Sequence, residues 1–122
     1  MDVCMVDVPW NGFSPSKKVA DMAETFEVNC APHNYYSHLS TLHSLHLCAV
    51  IPNVRICEID IDDVPWKDDL VTQPLEIEAG EALIPERPGW GAELNEEVAL
   101  EHVWERGRPP GYWTGSQERL RV

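Results

Sequence analysis

Long apolar runs are missing from this sequence. None approaches the roughly 20 residues that a membrane-spanning helix needs, so no membrane partner is expected. Basic residues are also scarce. Nine lysines and arginines face 21 acidic residues, leaving a net charge of −12. That balance repels nucleic acid and anionic bilayers alike, so neither is expected as a partner. Cysteines are few and not in CxxC spacing: Cys4, Cys30, Cys48 and Cys57 each sit in an apolar stretch. The expectation is buried free thiols in a reducing cytoplasm rather than disulfides or a zinc site. Met1-Asp2 opens without a basic segment or a long apolar core, so no signal peptide is expected and the location is read as cytoplasmic.

What the sequence does contain is a repeated unit. Residues 28–31 read as a short buried strand stopped by Pro32, which has no N–H for a ladder, and His33 follows at its end. Upstream, residues 3–6 form an apolar run ending in Asp7; downstream, residues 54–57 end in Glu58. The three titratable residues are spaced by 26 and 25 positions, about one strand, one helix and two loops. An acid or base closing each of three successive parallel strands is the arrangement of a (β/α)-barrel rim. The expected fold class is therefore α/β.

Between the strands the helical signals are clear. Ser14-Pro15 reads as an N-cap followed by proline in the first turn, and Val19, Met22, Ala23 and Phe26 recur at helical spacing to about Thr25. Residues 8–13 read as a loop. Ser37 is expected to cap a second helix with a stripe of Leu39, Leu42, Leu45 (or His46), Ala49 and Val50, ended by Pro52-Asn53. Residues 54–59 are read as the third strand, and all three strands as apolar on both faces. His38, His43 and His46 are expected as helix residues rather than metal ligands. The acidic residues between 60 and 69 read as a solvated face around Trp66, which is expected, like Trp90, to pack. Residues 75–78 and 82–84 flank a turn at Ala79-Gly80-Glu81 and predict a hairpin. Asn95 is expected to cap a short final helix. Residues 1–104 carry a net charge of −14 and residues 105–122 a net charge of +2, so a boundary is placed near Glu105, with a disordered tail after it.

Four motifs in order carry a family resemblance: Met5-Val6-Asp7-Val8 with Gly12; Ala31-Pro32-His33-Asn34; Cys57-Glu58-Ile59-Asp60; and Ala79-Gly80, Ile84-Pro85 and Arg87-Pro88-Gly89-Trp90-Gly91-Ala92-Glu93-Leu94. The sequence resembles the enolase superfamily in its mandelate racemase/muconate lactonizing enzyme branch, over about residues 1–104. Residues 32–38 look most like that branch's acid-sugar dehydratases. The resemblance implies a partial TIM (β/α) barrel: its last three βα units, strands six to eight, followed by a capping segment with a C-terminal hairpin and helix. It also implies proton abstraction α to a carboxylate, an enediolate intermediate and, in dehydratases, loss of a β-hydroxyl. By position, His33 matches the base, Asp7 the partner that orients it and Glu58 the group hydrogen-bonding the substrate carboxylate. Asn34 is a candidate substrate contact.

The family's Mg²⁺ ligands lie on strands not found in this sequence, so none of its residues is expected to bind the ion. The implied partner is a sugar-acid substrate. The implied assembly is with the missing barrel half, or a homo-oligomer. The isolated chain is expected to be inactive. A truncated non-catalytic chain, a racemase or cycloisomerase of the same superfamily, and a small acidic interaction module remain the alternatives.

Overall fold

The structure, a computed structural model, describes residues 1–60 and 64–103. The expected tail at 105–122, the boundary before it, and Asp62 and Asp63 of the acidic loop lie outside the described residues.

The two named parallel strands are short. Strand β1 (Val3–Cys4) pairs parallel with β2 (Asn29–Cys30), and Cys30 bridges in parallel to Val54. Beyond those ladders the three segments stay tied by single backbone bonds. Ala31 N–H donates to Cys4 O at 3.0 Å, His33 N–H to Val6 O at 3.0 Å, Arg55 N–H to Cys30 O at 2.7 Å and Glu58 N–H to Pro32 O at 3.4 Å. The expected third strand is thus corrected to one bridge and a loosely paired extension. The expectation of strands buried on both apolar faces is corrected too: Val3 is 43%, Met5 62% and Ile56 66% exposed, so both faces are not covered.

Helix α1 (Val8–Asn11) occupies what was expected to be loop, because the Asp7 side chain accepts Trp10 N–H and caps it. Helix α2 (Phe13–Thr25) follows at once, with Gly12 rather than Ser14 at its N-cap. It ends with Glu27 at φ 56°, where Val28 N–H returns to Ala23 O at 2.9 Å, a left-handed C-terminal turn. The face that α2 buries is not the expected one. Ser16 and Ala20 are fully buried, whereas Val19, Met22 and Phe26 are exposed. Small side chains let the helix approach closely, and Asn53 Nδ2 reaches Ala20 O at 3.1 Å across that contact.

Helix α3 (His38–Val50) is preceded by Ser37 as expected, although the serine hydroxyl makes no cap bond. It buries Leu42, Leu45 and Leu47, but also Thr41 and Ser44; Ala49 and Val50 are exposed, contrary to the expected stripe. Leu47 packs at the centre of the core with Val6, Val8, Ala20, Cys30 and Ile51. All four cysteines are free thiols.

After the βα units, the acidic loop is not wholly solvated. Asp68 pairs with buried His38 (Nε2–Oδ1 2.5 Å), and Lys67 Nζ donates to Asp60 O at 2.9 Å. Strands β3 (Ile77–Glu78) and β4 (Glu81–Ala82) form the expected hairpin. Its two-residue loop has Ala79 at φ 52° and Gly80 at φ 85°, the left-handed pair such loops require. Helix α4 (Glu96–Glu101) is capped by Asn95, as expected. Trp90 packs among Phe13, His43 and His46, holding this segment against α2 and α3, and Trp66 stacks on His102 at 4.1 Å.

Candidate active site

The parallel pairing delivers Asp7, His33 and Glu58 to one place. Each follows its own segment, and the bonds at Ala31, His33 and Glu58 set the three chain ends side by side. His33 Nδ1 lies 2.8 Å from Asp7 Oδ2. On the other edge of the ring, Nε2 lies 3.9 Å from Glu58 Oε2, too long for a direct hydrogen bond. An ionised carboxylate only accepts, so in the neutral ring Nδ1 carries the proton and Nε2 presents its lone pair on the Glu58 side. The His33 side chain is 39% exposed and that of Glu58 42%, while Asp7 is only 19% exposed. The steadying acid is inside and the other two groups face outward.

Burial opposes the charge on Asp7, but it is outweighed by hydrogen bonds from Tyr36, His33 and the Trp10 N–H, and by the charge of His33. Together these hold the carboxyl below its usual range. Both oxygens are occupied. Oδ1 accepts Trp10 N–H at 3.0 Å, and Oδ2 accepts from His33 and from the Tyr36 hydroxyl at 2.7 Å.

Asn34 is not where a substrate contact would be. It is fully buried, and its side-chain amide donates to Thr41 Oγ1 at 2.9 Å and Glu58 O at 3.0 Å, while its oxygen accepts from Ser44 Oγ at 3.4 Å. Its backbone N–H donates to Glu58 Oε2 at 3.0 Å. The expected substrate contact is corrected to a brace that joins Glu58 to α3. Replacing Asn34 with alanine leaves buried partners unpaired, and is expected to lower stability by about 1–3 kcal/mol, read as a lower urea midpoint at unchanged m-value. Sequence reasoning missed Tyr36. Its one sequence signal is its place three residues after His33.

Among the described residues, no group of three or more His, Cys, Asp or Glu side chains could hold a metal ion. At the site itself both Asp7 oxygens are filled and Glu58 Oε2 is held by Asn34. This donor set does not fit Mg²⁺. No helix among the described residues is long and apolar enough to cross a membrane.

Residues 1–98 match the family model for the enolase C-terminal domain-like fold, and the chain belongs to the enolase superfamily through that C-terminal domain. It is 32% identical to the D-xylonate dehydratase of Haloferax volcanii over 106 residues, covering 86% of this chain and 26% of that protein. It is 29% identical to the D-galactarolactone cycloisomerase of Agrobacterium fabrum over 98 residues, covering 74% of this chain and 26% of that one. A Burkholderia xenovorans structure provisionally assigned as an L-alanine-DL-glutamate epimerase, bound to magnesium and fumarate, matches with a TM-score of 0.84 and 44% identity. That match covers 87% of this chain and 26% of the other. The chain therefore spans about a quarter of the length of the relatives it matches, as part of a TIM-barrel domain.

Proposed function

We propose that this chain carries the proton-transfer residues of an acid-sugar dehydratase, and that residues 1–104 are its last three βα units, strands six to eight, with the capping segment behind them. The observation that supports this reading is the imidazole held at 2.8 Å by Asp7, with its second nitrogen 3.9 Å from Glu58. An imidazole so held is suited to take a proton from carbon. His33 Nε2 removes the hydrogen α to the substrate carboxylate, and the C–H electron pair passes into the enediolate. Asp7 keeps the ring in one tautomer and supports the imidazolium that forms. In its protonated form the Glu58 carboxyl would donate a hydrogen bond to the substrate carboxylate as charge moves onto it. The enediolate then expels the β-hydroxyl, which takes a proton from the imidazolium and leaves as water.

Glu58 at 42% exposure lacks the dry surroundings in which such a bond is strong, so further walls are needed. Mg²⁺, which relatives of this kind use, finds no ligand set among the described residues and is left to residues beyond them. A second reading follows from exposed Val3, Met5 and Ile56: by itself the chain is inactive until a polypeptide with the remaining strands covers those surfaces.

A chimera tests both readings. Residues 1–103 replace the matching C-terminal quarter of the Burkholderia xenovorans protein, and hydrogen–deuterium exchange α to the carboxylate is followed by NMR over a panel of sugar acids. Exchange with 2-keto-3-deoxy acid as product is expected from the chimera and no exchange from the isolated chain. A folded chimera that exchanges no α-hydrogen on any acid would overturn the proposal, and exchange without dehydration would reassign it to racemisation or cycloisomerisation.

A further inference from the structure

Tyr36 stands at the junction of the site without a part in the chemistry above. Its hydroxyl lies 2.7 Å from Asp7 Oδ2, the same oxygen that faces His33 Nδ1. It also receives the Trp10 indole N–H at 2.6 Å. An indole nitrogen only donates, so it fills an acceptor position on the Tyr36 oxygen and turns the hydroxyl hydrogen away. Of the groups that remain in reach, His33 Nδ1 at 3.5 Å is itself a donor, so the hydrogen goes to Asp7. The Tyr36 ring also stands edge-on to the imidazole, with centroids 5.6 Å apart and planes at 85°.

We propose that Tyr36 is a positioning residue, which shares the Asp7 carboxylate with His33 and walls the imidazole, so that one ring tautomer and one ring plane are held. The proposal deepens the assignment of His33 as base and rests on it for its catalytic meaning. The groups facing the imidazole are Asp7 from the α1 cap, Tyr36 from the loop before α3 and Glu58 from the third segment. Burial and then the Asp7 carboxylate push the Tyr36 phenol up, against the Trp10 donor, so it stays a donor through neutral pH. Trp10 is 79% exposed, so this chain of bonds runs from the surface to the base.

The test is made first on the full chain, by NMR and without substrate. ¹³C signals follow Asp7 and ¹⁵N signals the His33 ring. Tyr36→Phe keeps the wall and removes the hydroxyl; the Asp7 titration is expected to move to higher pH while neutral His33 keeps its proton on Nδ1. Tyr36→Ala removes both, and a second His33 tautomer is expected. Trp10→Phe, at an exposed position, is expected to move Asp7 in the same direction by less. In the chimera, Tyr36→Phe is expected to lower kcat about tenfold with KM little changed, since the loss is of alignment. An unmoved Asp7 titration in folded Tyr36→Phe or Trp10→Phe chains overturns the proposal. These spectra do not depend on whether His33 is the base, which His33→Ala tests separately.

Discussion

With His33 replaced by alanine, α-hydrogen exchange in the chimera is expected to fall by roughly 10²–10⁴-fold, the span that a positioned acid–base group contributes. Within the described site, Nε2 is the imidazole nitrogen left open. Nδ1 is turned to Asp7, the Asp7 oxygens are filled, and Glu58 Oε2 is held by Asn34. The side chain is 39% exposed and outside the hydrophobic core, so its loss should leave the melting transition nearly in place. A large fall in rate with an unchanged melt isolates the chemistry from the fold. Exchange within twofold of the parent would remove His33 from the reaction.

The second large effect concerns stability. Leu47→Ala is expected to cost about 2–5 kcal/mol, the transfer of a buried isobutyl group plus the cavity left behind. Leu47 is 0% exposed and touches the cluster that joins β1, α1, α2 and β2. Domains hold roughly 5–15 kcal/mol in total, so that single change removes a large part of the margin. Urea denaturation reads it as a lower midpoint with the slope kept. A change below about 1 kcal/mol would mean that α3 is not packed on the core as described. The same helix carries Thr41 and Ser44, which hold Asn34 and through it Glu58, so loosening α3 should also loosen the site.

Much of this arrangement was legible in the residues. Pro32 marks where the central segment stops pairing regularly, and the spacing of Asp7, His33 and Glu58 matches one βα unit each. That was enough to read three parallel segments with their ends together, and the backbone bonds agree. What was not legible depends on contacts between distant parts of the chain. Periodicity finds the largest apolar stripe, but α2 turns its small residues inward, because Ser16 and Ala20 allow an approach that Val19 and Met22 would block. Thr41, Ser44 and Asn34 look like surface polar residues in sequence; they are buried because they satisfy one another. Tyr36 was passed over because a tyrosine in a polar loop carries no signal until Trp10 and Asp7 are seen beside it.

Asp7 serves two masters. One oxygen closes the first turn of α1 and the other meets His33. The proposed reaction could therefore be lost without releasing this position: a descendant without it would still be selected for aspartate, asparagine or serine there, to start the helix. Position 33 has no such second duty for its side chain among the contacts described, and would drift first. A natural variant set that keeps an acid at 7 beside a changed residue at 33 would mark lineages in which the scaffold outlived its chemistry.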